Sequence, residues 1–155
     1  MAGGPPGAGS IAFLLAQVGA HAAARFAERL APLGLAPQHA GILRLVGASA
    51  GLSQRALAER LGILPSRLVA LVDELEARGL VERRDDPADR RNYALHLSEA
   101  GHTLLGDVGR VARAHGESLC GALSEEERQQ LASLLERIAE EQGLAPGVHP
   151  GFKRV

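Results

Sequence analysis

Two segments with apolar residues at helical spacing meet across Gly62 to Pro65, and a pair of short strands ending at Leu97 follows with no spare residues between. Few folds accept that order. Ser53 is placed to cap a first helix by accepting a hydrogen bond from a free amide of its first turn, and Leu57, Ala58 and Leu61 recur behind it. Gly62 supplies the permissive backbone on which a helix ends. Ile63 and Leu64 complete a tight turn, and Pro65 suits the first position of a second helix, where its missing amide hydrogen costs nothing. That helix places Leu68, Leu71, Val72 and Leu75 on one side, leaves Ser66, Arg67, Ala70, Asp73 and Glu74 on or near the other, and ends at Gly79. Leu80 to Arg84 then reads as a strand, broken by Asp85, Asp86 and Pro87. After Asp89, Arg90 and Arg91, a second strand from Asn92 to Leu97 alternates Tyr93, Leu95 and Leu97 against Asn92, Ala94 and His96, as a half-buried strand does. Helix, turn, helix and arginine-tipped hairpin make a winged helix-turn-helix, so the pattern points to DNA.

Charge does not reinforce that reading. The chain has 155 residues and a formal charge of −1. Between Ser53 and Leu97 the arginines at 55, 60, 67, 78, 83, 84, 90 and 91 are matched by acids at 59, 73, 74, 76, 82, 85, 86 and 89. The basic excess usual in a nucleic-acid binder is absent. What matters for phosphate binding is where cations face rather than their sum, so placement has to decide. With 3% aromatic residues and no Trp, the core must be built of Leu, Val, Ile and Ala, which suits packed helices. A single cysteine, Cys120, excludes an internal disulfide, and the lack of a signal peptide or bilayer-length apolar run points to the cytoplasm and away from a membrane.

The flanks are helical. Residues 1–9 form a Gly/Pro/Ala tail expected to be flexible. Residues 10–35 hold a helix capped by Ser10, with Leu14, Val18, Ala22, Phe26 and Leu30 every four residues and Gln17, His21, Arg25 and Arg29 on another face. Residues 36–97 form the reader domain, opened by a helix at Pro37 whose core contacts are Ile42, Leu43, Leu45 and Val46, with Gly47 to Leu52 as a short link and minimal third strand. Residues 98–142 hold two more helices, capped by Ser98 and by a Ser124–Glu127 capping box, and 143–155 form a C-terminal tail. The first and the last two helices carry more apolar surface than one small reader covers. Pairing with a second copy would bury it, giving a mainly α fold with a small β-wing and flanking dimerisation helices. Two-fold symmetry then predicts a pseudo-palindromic double-stranded DNA site with half-sites about 34 Å apart.

Linked motifs sharpen this. The run Leu71-Val72-Asp73-Glu74-Leu75-Glu76-Ala77-Arg78-Gly79-Leu80-Val81-Glu82-Arg83, the segment Asp85-Asp86-Pro87-Ala88-Asp89-Arg90-Arg91 and the helix start Leu97-Ser98-Glu99-Ala100-Gly101 together resemble the multiple antibiotic resistance regulator (MarR) family of bacterial transcription factors. The helix layout matches from about Ile11 to Gln142. Ser98 stands where Thr is usual, and both cap helices. Glu74 stands where a basic residue is common, against a phosphate contact there.

Candidate DNA contacts follow from the residues. Ser66, Arg67 and Ala70 would face the major groove, Arg67 paired to guanine or bound to phosphate alone and Ala70 against a thymine methyl. Ser53, Gln54 and Arg55 are phosphate candidates at a helix N-terminus. The resemblance implies that Arg91 enters the minor groove, Arg90 reaches phosphate and Asp89 holds the wing tip through a salt bridge; the alternative is a solvated charged hairpin. Arg83 and Arg84 either touch DNA or brace the wing against Asp85, Asp86 or Asp89. The resemblance further implies a dimeric repressor released by a small-molecule effector, in many relatives a small aromatic acid, bound between reader and dimer helices; His21, Arg25 and His39 are candidates to hold its carboxylate. Cys120 reads as packing, since the family's peroxide sensors carry their cysteine near the start of the first helix. No catalytic set, metal motif or cofactor loop is placed by the sequence. The competing function is a winged-helix protein-interaction adaptor that does not bind DNA.

Overall fold

The computed structural model describes residues 9–152. Along the chain lie α1 (Ile11–Leu30), a 3₁₀ turn (Ala31–Leu33), α2 (Pro37–Ala48), β1 (Leu52–Ser53), α3 (Gln54–Leu61) and α4 (Pro65–Ala77). The hairpin β2 (Val81–Asp85) and β3 (Tyr93–Leu97) follows, then α5 (Glu99–Leu119) and α6 (Glu125–Glu141). This is a mainly α winged helix-turn-helix with long helices on either side. The proposed N-terminal tail lies outside the described residues except for Gly9, as do residues 153–155 of the C-terminal tail.

Local chemistry sets the boundaries. Serine hydroxyls accept the amides of Phe13 (3.2 Å, Ser10), Ala56 (2.9 Å, Ser53), Gly101 (3.0 Å, Ser98) and Glu127 (3.2 Å, Ser124). The Ser124 box closes reciprocally, its amide donating to Glu127 Oε2 at 2.8 Å. Gly62 leaves α3 with φ 64°, a left-handed conformation that a side chain would strain.

The three-stranded antiparallel sheet has the order β1-β3-β2, with Leu52 opposite Leu95 and the hairpin in register from Val81–Leu97 to Asp85–Tyr93. A core of Ile42, Leu43, Leu57, Leu61, Leu68, Val72, Leu75 and Leu95 joins α2, α3 and α4 to the sheet, all fully enclosed. The alternation expected for β3 holds at Leu95 and Leu97 but not at its start. Tyr93 is exposed and Ala94 buried, because β3 is the central strand and Ala94 is flanked by Ser53 on one side and Arg84 on the other.

The turn from β3 into α5 explains the Leu-Ser-x-x-Gly motif. The Ser98 amide donates to the Leu80 carbonyl at 3.1 Å and its hydroxyl donates to the Gly79 carbonyl. A Cβ at Gly101 would lie 2.1 Å from the Leu80 carbonyl oxygen, so glycine is what lets α5 pack against the start of β2.

Outside the reader the apolar faces are open. Ile11, Phe13, Leu14, Leu15 and Val18 of α1 are exposed, as are Leu131, Leu134, Leu135 and Ile138 of α6. Ile11 and Leu15 share with the four α6 residues the wall of a cleft of about 630 Å³. The C-terminal chain is ordered further than its composition suggests, for Phe152 folds back into the core and is 4% exposed.

Candidate nucleic-acid interface

Five of the reader's acids, Glu59, Asp73, Glu74, Glu76 and Glu82, meet an arginine or His39, while Asp85, Asp86 and Asp89 of the wing have no such partner among the described residues. Arg83 is the pivot: its side chain is 14% exposed and its guanidinium meets Asp73 at 2.7 Å and Glu76 at 3.4 Å on α4. It also donates to the Val69 carbonyl at 3.3 Å and, through Nε, to Gln54 Oε1 at 3.0 Å. One half-buried arginine on β2 thus meets two α4 carboxylates and ties the wing to both helices of the helix-turn-helix. Arg84 pairs with Glu82 at 2.9 Å and Arg55 with Glu59 at 3.2 Å. Neither Arg83 nor Arg84 turns to Asp85, Asp86 or Asp89. Arg78 donates to the Gly34 and Leu33 carbonyls at 2.7 and 3.1 Å, fastening the end of α4 to the α1–α2 turn.

Glu74 is engaged from α2. His39 Nε2 lies 2.6 Å from Glu74 Oε2, while its Nδ1 accepts the Ala36 amide at 3.1 Å. Acceptance at Nδ1 leaves the ring proton on Nε2, which donates to the carboxylate. His39 therefore closes the start of α2 and links it to α4.

At the tip, Asp89 works differently from expectation. Its carboxylate accepts the Arg91 amide at 2.9 Å, and Asp86 accepts the Ala88 amide at 2.9 Å. No salt bridge involves Asp89 among the described residues, because the short tip turn puts the carboxylate within reach of its own backbone first. The turn leaves the side chains of Arg90 and Arg91 exposed, and Arg67 is exposed on α4. Among the described residues none of the three guanidiniums has a hydrogen bond or ion pair. Gln54, Arg55, Pro65, Asp89, Arg91 and Asn92 line one concavity of about 360 Å³ between the helix-turn-helix and the wing. Ser66 and Ala70 are exposed on α4 and Ser53 caps α3.

The fold and this surface have known counterparts. A family model described as MarR family matches residues 33–92. A Thauera aromatica protein described as a transcriptional regulator for the hcr operon is 33% identical over 113 residues, covering 73% of this chain and 68% of the relative. The chain belongs to the MarR family. The repressor CouR bound to a 23-mer DNA duplex superposes with a TM-score of 0.78 at 31% identity, covering 89% of this chain and 99% of CouR. CouR from Rhodococcus jostii RHA1 bound to p-coumaroyl-CoA superposes with a TM-score of 0.71 at 35% identity, covering 85% and 93%. This MarR-family chain is accordingly a transcriptional regulator, and no helix among its described residues is long and apolar enough to cross a membrane.

The three candidate effector residues do not come together. His21 and Arg25 line a cleft of about 450 Å³ between α1 and α5 with Gln17, Arg29, His115 and Ser118. His39 lies outside it, held by Ala36 and Glu74. Spacing within α1 made the first pair legible, whereas the fate of His39 depends on a partner 35 residues away. Arg29 and His115 were missed as a pair for the same reason. Arg29 Nε and His115 Nδ1 are buried without hydrogen-bond partners among the described residues. Burial, then the nearby Arg29 charge, holds His115 below the usual histidine pKa. Arg25 is paired with Glu28 at 2.5 Å, so the cleft's arginine without an acidic partner among the described residues is Arg29.

Proposed function

We propose that this MarR-family protein is a homodimeric, cytoplasmic repressor that reads a pseudo-palindromic operator and is released by a small anionic ligand. The observation that carries the reading is the sorting of charge within the reader. Arg83, Arg84, Arg55 and His39 engage Asp73, Glu76, Glu82, Glu59 and Glu74, while Arg67, Arg90 and Arg91 are exposed at the front without protein partners among the described residues. The reader's net charge stays neutral, and the reading rests on these three guanidiniums being exposed and uncommitted. The adaptor alternative drew on that neutral sum and on Glu74, and the second support weakens because His39 engages the Glu74 carboxylate.

In this docking Ser66, Arg67 and Ala70 at the start of α4 enter the major groove, with Arg67 on guanine. Arg91 enters the adjacent minor groove, on a tip set by Asp89, and Arg90 takes phosphate. Ser53, Arg55 and Gln54 hold the backbone at the start of α3. The Gln54 side-chain oxygen is committed to Arg83, which leaves its amide hydrogens for phosphate. The open apolar faces of α1 and α6 form the dimer interface, so both readers meet one side of the duplex. The ligand cleft is that of His21 and Arg25, joined by Arg29 and His115; CouR, bound to p-coumaroyl-CoA in one structure, offers a ligand of anionic aromatic type. A ligand releases DNA only by binding the DNA-incompetent spacing of the readers more tightly.

Salt titration with two variants tests the docking. Affinity should fall steeply with salt, log K against log [salt] having a slope of about −0.9 per phosphate neutralised. Arg91→Ala should weaken binding on all sequences alike, and Arg67→Ala should relax preference at one base position, a loss of about 1 to 3 kcal/mol of discrimination. Salt-independent affinity, or both variants binding as the parent does, contradicts it.

A further inference from the structure

Leu64 departs from the rest of the chain twice. Among the Leu, Ile and Val side chains of residues 36–97 it is the exposed one, at 55%, whereas Ile63 before it is buried and Leu68 one turn on is fully enclosed. It also occupies the N-cap of α4, where it offers no side-chain acceptor. Serine fills that place at α1, α3, α5 and α6, each hydroxyl meeting the amide three residues on, and at α2 the His39 ring accepts the Ala36 amide. Among the described residues, α4 is the α-helix whose start has no side-chain hydrogen bond.

The helix tolerates this because Pro65 at its first position has no amide to satisfy, and the Leu64 carbonyl accepts the Arg67 and Leu68 amides at 3.0 and 3.2 Å. Leucine is still among the poorest N-caps, and an exposed side chain gains nothing from the core. The fold therefore has no use for leucine at this position. A local rule broken in an otherwise consistent sequence marks function. The place says which function, since the residues that follow, Pro65, Ser66 and Arg67, are exposed with it. They form the α4 start that the proposed docking puts in the major groove, where the first residues of such a helix meet base edges.

We propose that Leu64 is a specificity-determining residue that packs on the 5-methyl group of a thymine, the apolar feature of the major groove. The contact takes two apolar surfaces out of water, and a cytosine at that place, with hydrogen on the same carbon, gives up half of it. The inference rests on the proposed docking and adds a thymine distinct from the one set against Ala70, because Ala70 lies six residues further along, about 9 Å of helix rise. A helix cap is given up for a base contact.

The test uses the full-length protein and the duplex it selects from random DNA, remade with deoxyuridine in place of thymine at one position at a time in both half-sites. That change deletes the methyl group alone. At a fixed salt concentration the parent should lose affinity about fourfold per half-site at the Leu64 thymine, the size of one buried methyl group. Leu64→Ser should bind thymine and deoxyuridine equally there, while keeping the parent's loss at every other thymine. Its thermal unfolding midpoint should rise by about 2 to 4 °C, because the new hydroxyl can accept the Arg67 amide as the other serines accept theirs. A parent indifferent to every deoxyuridine, or a Leu64→Ser variant that loses as much as the parent at every position, overturns the proposal; a changed base preference in Arg67→Ala would still leave the docking standing. If Arg67→Ala and Arg91→Ala also bind as the parent does, the docking has failed and the role of Leu64 with it. A midpoint lowered by Leu64→Ser overturns the proposal as well, since the side chain would then be serving the fold.

Discussion

Two arginines eight residues apart in the hairpin have opposite duties. Arg83 is half-buried and meets Asp73, Glu76, Gln54 and the Val69 carbonyl, so Arg83→Ala should cost about 2 kcal/mol of stability, the scale of hydrogen bonds to charged groups. Arg91 is exposed and its side chain has no protein partner among the described residues. Arg91→Ala should therefore leave the urea midpoint within experimental error while weakening DNA binding. A denaturation series on both variants separates the roles, and a large midpoint shift for Arg91→Ala would contradict them. The histidines add a pH signature. Burial holds both His115 and His149 below the ordinary value of 6.5, with the Arg29 charge a second cause at His115. The unfolded chain thus binds protons that the native chain does not. Their contribution is complete above about pH 6.5 and is lost as pH falls from there through the depressed native values. Unfolding free energy measured against pH should decline over that window, and His115→Gln with His149→Gln should flatten the decline.

At the scale of elements, the helix starts were legible because a cap is a short-range device. Ser10, Ser53, Ser98 and Ser124 each meet an amide three residues on. Gly62 and Pro65 were legible for a similar reason, since each carries its backbone preference with it. What the sequence did not disclose was pairing at distance. Arg83 reaches 29 residues back to Gln54, and His39 reaches 35 residues forward to Glu74. The charges of the site were therefore visible while their sorting into paired and free was not. The C-terminal segment escaped for a related reason: Val148 and Phe152 sit among glycines and prolines with no period to mark them, and only their distant neighbours make them core. Ser124→Ala should cost about 1 kcal/mol through the lost cap, readable in thermal unfolding. Gly101→Ala should cost more, about 1 to 3 kcal/mol or above, because its methyl group would meet the fixed Leu80 carbonyl at 2.1 Å.

For the whole molecule, one apolar surface and one cationic surface must act together. The α1 and α6 faces are open, and their pairing in a second copy would fix how far apart the two α4 helices and wings stand. Val18→Glu and Leu134→Glu together place charge on those faces while sparing the reader core. The double variant should sediment as a monomer that keeps its helical signal and binds a full operator far more weakly than the parent. The most direct measurement is selection of bound sequences from random duplex DNA by the purified protein. The account predicts an enriched pseudo-palindrome whose half-sites are centred about 10 base pairs apart, one helical turn. Enrichment of an isolated half-site, or of no sequence at all, would contradict it.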